Sequence, residues 1–193
     1  LLLSTVAVLG TASVAANAIS NTLCTFQCVA GNAIGLGIVT VVSQCVGAGD
    51  YEKARFYTKK LLKMAYLFMF ICVVLVYFAT PLALRLYNVS EEAERYAYQI
   101  IWMHGFFGFL IWPLAFTLPQ ALRAAGDTTF TMAVSSVSMW TMRVGFGILL
   151  GRYLGFGVLG IWMAMFVDWA MRIAFFLPRF YGHRWELKGL EQV

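Results

Sequence analysis

Charged side chains are scarce in this sequence, where Asp, Glu, Lys and Arg make up 12% of 193 residues. Soluble domains carry about 25%, and here 61% of the residues are hydrophobic, with a mean hydropathy of +0.77. Residues 1–49 and 64–84 hold no charged side chain, and residues 96–122 hold only His104 as a group that titrates near neutral pH. A spanning helix needs about 20 apolar residues. The composition therefore argues against a water-soluble fold and predicts an integral membrane protein.

Cysteine is sparse as well, and its placement limits the chemistry of the chain. Cys24, Cys28, Cys45 and Cys72 lie in apolar runs, and none has the spacing of a zinc site or of a C-x-x-C redox pair. The sequence also lacks a nucleophile–base arrangement and a phosphate-binding loop, and its basic residues are divided among several loops. We therefore expect no enzymatic activity, no metal site, no cofactor and no nucleic-acid partner.

The apolar segments predict an all-α integral membrane fold, a helical bundle of five full spans and one truncated span within residues 1–178. Residues 1–9 rise only about 13 Å as a helix, less than half of a bilayer core. Because the chain also begins at Leu1 with no basic region typical of a secretory signal, we expect it to be the interior of a longer sequence. The full spans are expected at about 13–46, 63–80, 96–123, 128–151 and 155–178, followed by a polar tail at 179–193.

Glycine and proline mark the ends and bends of these spans. Residues 47–50 read as a helix end followed by a helix start, and residues 124–127 repeat that pattern. The basic segment 51–63 predicts an amphipathic entry along the membrane surface. Pro81 is expected to stop its span, whereas Pro113 and Pro119 predict a kink or an unwound stretch. We expect Trp185 to lie at the membrane interface as an anchor.

The basic residues predict the orientation of the chain in the plasma membrane. Alternating crossings place loop 47–63, loop 123–127 and the tail on one side, with nine Lys or Arg against three on the other. By the positive-inside rule the first side, with the C-terminus, is cytoplasmic. The nine are five residues of segment 51–63 with Arg123, Arg179, Arg184 and Lys188, and the three are Arg85, Arg95 and Arg152.

Three blocks of sequence resemble those of the multidrug and toxic compound extrusion (MATE) transporters. LGTASVAANAISN, followed by a helix that ends in VSQCVGAGDYEKA, is similar to the seventh-to-ninth helix region of that family. LPQALRAAGDTTFTM resembles the junction of the tenth and eleventh helices, and GVLGIWMAMFVDWAMR resembles the last helix. The blocks occur in the family's order and spacing, so the resemblance covers nearly the whole chain as a C-terminal six-helix lobe.

The resemblance implies one lobe of a twelve-helix transporter whose substrate lies between two lobes in a cavity of alternating access. The family's coupling aspartate in the first helix would then belong to a missing N-terminal lobe, which is the expected partner. Members that bind sodium in the second lobe use carboxylates in helices seven and ten. Residues 96–122 contain no Asp or Glu, so the coupling ion, H+ or Na+, is left open.

Asp168 is the one acid within an expected span, and a charge at that depth costs several kcal/mol unless it is paired or hydrated. Arg172 follows by four residues, the favourable spacing for an acid before a base on a helix, and Arg143 lies in the preceding antiparallel span. One interpretation is an internal ion cluster of Asp168, Arg172 and Arg143 that locks the last two helices. The other is a role in ion coupling or in sensing substrate charge.

Four further polar residues are candidates to line a wet cavity: His104, Gln27, Asn32 and Gln120. His104 is either a buried hydrogen-bonded histidine or a proton relay. The amides serve equally well as interhelical hydrogen-bond partners. The numerous Phe, Trp and Met residues are compatible with a pocket for flat organic cations through cation–π contacts, and also with ordinary packing.

The function expected from the resemblance is secondary active antiport, in which organic cations or drugs are exported against a proton or sodium gradient. Two alternatives remain open from the sequence. One is a flippase for lipid-linked substrates from the same superfamily. The other is a small self-standing membrane channel or scaffold, which the short apolar segment 1–9 disfavours because that segment cannot span alone.

Overall fold

A computed structural model describes residues 2–182 and 185–186 of the chain, and every regular element among them is helical. Five helices are long and apolar enough to cross a membrane, which confirms the all-α membrane fold. We number the helices α1 to α6 in chain order. They are α1 Leu2–Val8, α2 Thr11–Gly47, α3 Tyr51–Tyr87, α4 Glu91–Ala124, α5 Thr128–Tyr153 and α6 Gly157–Tyr181.

The helices extend beyond the expected spans, most clearly in α3. The basic segment expected to enter along the membrane surface is continuous with the apolar part of α3. The prediction that Pro81 stops the span is wrong, because α3 continues through it to Tyr87. A proline removes only its own backbone donor. Pro81 lies in the last two turns of α3, and the other backbone hydrogen bonds keep these turns helical. Helix α6 likewise continues to Tyr181, whereas positions 183–184 and 187–193 of the expected tail lie outside the described residues.

Pro113 and Pro119 enclose a widened turn in α4. Residues Pro113–Thr117 are π-helical, and the Leu118 N–H bonds to the Pro113 carbonyl. The expected distortion is therefore present as a π turn, and the helix is not unwound. The Thr117 hydroxyl donates to the Gly31 carbonyl of α2 across 3.2 Å, which fixes the turn against its neighbour.

Two turns at the same end of the bundle have matching hydrogen bonds. At the first, the Gly49 N–H bonds to Val46 and the Asp50 N–H to Cys45; at the second, residues 126 and 127 bond to 123 and 122 in the same pattern. Both use a glycine at positive φ, 72° at Gly49 and 87° at Gly126, as helix C-terminal turns commonly do. Asp50 then caps α3 by accepting the Lys53 N–H, and its hydrogen bond from the Lys53 side chain lowers the pKa of that carboxyl.

The end of α6 is joined to the second turn and to the start of α3. Arg179 donates to Asp127 before α5, and Arg55 of α3 donates to the Gly182 carbonyl across 3.1 Å. Trp185 is 1% exposed, its indole N–H bonds to the Phe180 carbonyl, and its ring stacks on Phe180. The prediction that Trp185 is an interface anchor is therefore wrong. The three segments expected to share one side do lie at one end of the bundle, whereas the cytoplasmic identity of that end stays a prediction.

Helices α4 and α6 are the most buried of the five spanning helices, and α2 packs against α4. Gly31 and Gly35 of α2 are buried where α2 meets α4, and small residues allow such close contact between helices. In the most apolar stretch of α6, 56% of the residues are buried, whereas in that of α5 only 11% are buried. Helix α5 therefore lies at the periphery and contacts the rest mainly through α6.

Candidate functional site

Asp168 and Arg172 form an ion pair on one face of α6. Their Oδ1 and Nε atoms lie 3.0 Å apart at the expected i,i+4 spacing. Asp168 is 0% exposed and Arg172 is 8% exposed, so the pair is desolvated. A guanidinium that close compensates the charge of the carboxylate, as a buried acid requires. The structure thus places two of the three predicted cluster members in direct contact.

Helix α5 completes the surroundings of this pair with two serines. The Ser138 hydroxyl contacts Asp168 Oδ1 and also donates to the Asp168 carbonyl across 3.0 Å. Arg172 Nη2 donates to the Ser135 carbonyl across 3.2 Å, and the guanidinium lies 5.1 Å from the ring centre of Phe116 in α4. The pair therefore joins α4, α5 and α6. Ser135 and Ser138 are three residues apart and therefore lie on one face of α5. Asp168 and Arg172 are four residues apart on one face of the antiparallel α6, and this similar spacing is the sequence signal for the serines.

Arg143 is not in direct contact with this pair. Within the described part of the chain no ion pair of 4 Å or less joins it to a carboxylate, and its Nη2 contacts Met165 Sδ at 3.3 Å. Met165 precedes Asp168 by almost one turn of α6. Because α5 runs antiparallel to α6, the residues beyond Ser138 approach the start of α6, and this carries Arg143 past Asp168.

Arg143 instead lines a cavity of about 270 Å³ between α1, α2, α5 and α6. Its polar wall has Asn17 and Asn21, which the sequence reading did not single out as site residues. Asn17 Oδ1 accepts the Trp162 indole N–H across 3.2 Å, and Asn21 Nδ2 donates to the Asn17 carbonyl across 2.9 Å. The other lining residues are Val6, Ile161, Trp162 and Met165.

A second, more open cavity of about 490 Å³ lies on the other side of the ion pair, toward the turn that precedes α5. Arg123 lies on its rim, where it donates weakly to Thr131 and Gln120 at 3.4 Å. Among residues 2–182 and 185–186, the buried Ser135 hydroxyl has no hydrogen-bond partner. The lining residues are Arg123, Thr128, Met132, Ser135, Ser136, Met139 and Arg172.

His104 and Gln27 are bonded to each other in the core. His104 Nδ1 lies 2.6 Å from Gln27 Oε1, and Gln27 Nε2 donates to the Ile101 carbonyl across 3.4 Å. An amide oxygen can only accept, so the proton of this bond lies on Nδ1. His104 is 4% exposed and Gln27 is 1% exposed. The aromatic rings around His104 are those of Trp162, Phe166 and Trp169.

The other two amides predicted to line a cavity lie elsewhere. Asn32 is exposed on the surface of α2. Gln120 is half-buried, and its Oε1 accepts from Arg123. The structure therefore does not gather His104, Gln27, Asn32 and Gln120 around one cavity. Within residues 2–182 and 185–186, no group of three or more His, Cys, Asp or Glu is arranged to hold a metal ion.

Comparison with known proteins gives a family match and two named relatives. The family model described as MatE matches residues 1–149. The "Probable multidrug resistance protein NorM" of Thermotoga maritima is 23% identical over 157 residues, which cover 81% of this chain and 34% of the relative. The "Uncharacterized transporter YisQ" of Bacillus subtilis is 35% identical over 71 residues, 37% of this chain and 16% of the relative. The matched residues thus span about a third of the length of NorM and less of the length of YisQ. No solved structure matches it.

Proposed function

This chain belongs to the MatE family, and we propose that it is one six-helix half of a secondary active antiporter that exports organic cations or drugs. The observation that carries the proposal is the family match over residues 1–149, in a chain with five helices able to cross a membrane. One relative is named a multidrug resistance protein and the other a transporter. Neither name describes an enzyme, which agrees with the expectation that this chain is a transporter.

We further propose that the chain works with a second half in the same plasma membrane, with its C-terminus in the cytoplasm. Its matched residues cover 34% of NorM, so a relative of that length has room for another helical lobe. Transporters of this repeat type hold substrate between their halves and alternate its access. The nine basic residues assigned to one side support the orientation.

The Asp168–Arg172 pair indicates which half of the transporter holds the acids that bind cations. A cation needs an uncompensated acid or an aromatic surface, and Asp168 already has Arg172 as its counter-ion. We therefore propose that Asp168 stabilises this half, and that the acids for H+ or Na+ coupling and for a cationic substrate belong to the other half.

The test is gradient-driven transport in proteoliposomes. The chain expressed together with its second half is expected to move ethidium when a proton or sodium gradient is imposed, and to stop when an ionophore collapses the gradient. The 193-residue chain alone is expected to show no transport, since the substrate cavity lies between two halves. Ethidium transport by the chain alone would overturn the half-transporter proposal, and movement of a lipid-linked sugar but not ethidium would favour the flippase alternative.

A further inference from the structure

In the part of the chain that the structure describes, the middle of the bundle holds one more guanidinium than carboxylate. Asp168 and Arg172 compensate each other at 3.0 Å, and Arg143 has no carboxylate within ion-pair distance among the described residues. Movement of Asp168 from Arg172 to Arg143 would not remove the excess, because a single carboxylate cannot neutralise two guanidiniums. A charge at this depth is costly unless it is paired or hydrated, so a guanidinium that lines a cavity favours an anion or water beside it.

The cavity beside Arg143 has the chemistry to hold such an ion. The guanidinium offers a planar set of N–H donors, and Asn17 keeps its amide Nδ2 as a further donor because its Oδ1 is used by Trp162. The residues that line the cavity include no acid. Its remaining walls are the indole of Trp162 and the side chains of Ile161, Met165 and Val6, so the polar end faces an apolar compartment.

We propose that this cavity binds the carboxylate of a small amphipathic organic acid, with Arg143 as the counter-ion and the apolar wall against the ring or alkyl body. A carboxylate matches the fork of a guanidinium with two parallel hydrogen bonds. The volume of about 270 Å³ fits an acid of one or two fused rings and not a large lipid. As a site for part of the cargo, the inference rests on the proposed function, and it adds organic acids and zwitterions to the substrate class.

Binding can be measured on the chain without any transport, because all the lining residues belong to it. The probe is 2-naphthoate, titrated by calorimetry into the chain in a nonionic detergent, and 2-naphthamide serves as the uncharged control for partition into micelles. The wild type is expected to bind the acid about 10- to 100-fold more tightly than the amide, the range for charge-assisted hydrogen bonds. Equal binding of the two compounds overturns the proposal.

The variants locate the binding to one guanidinium. Arg143→Gln is expected to abolish the preference for the acid, and Arg143→Lys to reduce it several-fold, because an ammonium lacks the planar fork. Arg85→Gln removes the same charge from an exposed position at the end of α3 and is expected to keep the preference. A preference that survives in Arg143→Gln overturns the proposal. If that variant does not fold, unchanged affinity in a folded Arg143→Lys does so.

Two further measurements separate the organic-acid site from a lipid-phosphate site and from the transporter proposal. Displacement of naphthoate by phosphatidylglycerol at equal concentration would assign the site to a lipid phosphate and overturn the organic-acid assignment, whereas no displacement supports it. Ethidium transport is measured on the same wild-type preparation once it is paired with its second half. Failure of transport in the wild type with intact naphthoate binding refutes the transporter proposal alone, and the reverse result refutes the site alone.

Discussion

Arg179 Nε donates to Asp127 Oδ2 across 2.6 Å, so the last turn of α6 is held against the residue that precedes α5. Asp127 is 4% exposed, and the guanidinium also lies 4.6 Å from the ring centre of Phe130. Asp50 occupies the equivalent position in the other matched turn, but its ion pair with Lys53 is exposed. The two aspartates therefore provide a natural comparison of a buried ion pair with a surface one.

Asp127→Asn is expected to destabilise the chain by about 3 kcal/mol, because it leaves Arg179 without its acid. The matched Asp50→Asn keeps a good N-cap residue and loses only an exposed ion pair, so its loss of stability is expected to be much smaller. Thermal unfolding in detergent measures both. Equal losses of melting temperature would show that the Arg179 contact adds nothing beyond the turn itself.

Asp168→Asn is expected to lower the yield of folded protein and the melting temperature, since loss of one member of a buried pair costs about 3–5 kcal/mol. Neutralisation of Arg172 in the same chain is expected to recover part of that loss, because the stranded guanidinium is then gone. The recovery is compared with that given by Arg143 neutralised in the same background. If Asp168→Asn melts like the wild type but abolishes efflux, the carboxylate serves transport and not stability.

Gly31→Ala is expected to destabilise the contact of α2 with α3 and α4 by about 1–3 kcal/mol, the range for overpacking. A Cβ on Gly31 would lie 2.7 Å from Met69 Sδ and would also meet the ring of Trp112. Gly37→Ala in the same helix meets nothing within 4 Å and is expected to be neutral or stabilising, since alanine favours a helix over glycine. A melting temperature unchanged in Gly31→Ala would mean that the helices separate at little cost.

Trp185→Ala is expected to cost about 3–5 kcal/mol, as for other buried tryptophans. Its ring packs against Phe180 and Tyr51, and Arg55 lies 5.6 Å from its ring centre. Trp140→Ala serves as the control, because that side chain is 58% exposed. Limited proteolysis should cut the C-terminal segment sooner in Trp185→Ala, and equal cleavage rates would contradict the docked position.

The start of α3 around Lys59 and the C-terminal tail are expected to be cytoplasmic. Lys59 Nζ lies 5.3 Å from the ring centre of Tyr181, so the start of α3 and the end of α6 are at the same end of the bundle. Single cysteines at positions 59, 188 and 91, in a chain freed of its four native cysteines, can be labelled in intact cells by an impermeant maleimide. Positions 59 and 188 should be protected and position 91 labelled. Opposite labelling of 59 and 188 would contradict the helix count.

The membrane fold follows from the sequence because the uncharged runs have the length of a bilayer crossing and few polar interruptions. The Asp168–Arg172 contact follows from i,i+4 spacing, which depends on one helix alone. The path of α3 through Pro81 could not be read in the same way. Whether a helix continues past a proline depends on the backbone hydrogen bonds that the following residues form. The sequence does not give the residue at which those bonds end.

The cavity residues show a second limit of sequence reading. Asn17 and Asn21 lie in α2, and whether they face lipid or a neighbour depends on the packing of α1 and α6. His104 and Gln27 are far apart in sequence, and their bond exists because α2 and α4 cross at that height. Residue type alone predicts that Trp185 lies at the interface, whereas tertiary contacts with α3 and α6 bury it.

Helix α5, like α4, contains a π-helical run, at Met139–Phe146, and this run sets the rotation of the C-terminal part of α5 about the helix axis. Arg143 follows Ser138 by five residues, and in a regular α-helix that spacing turns the two side chains about 140° apart. Bonding to the fifth preceding residue widens the turn, so five residues complete little more than one revolution and both side chains face α6. A return to α-helical bonding in this run would swing Arg143 away from Met165 while Ser138 kept its place beside Asp168. The direction of the charge is therefore governed by the pitch of the backbone.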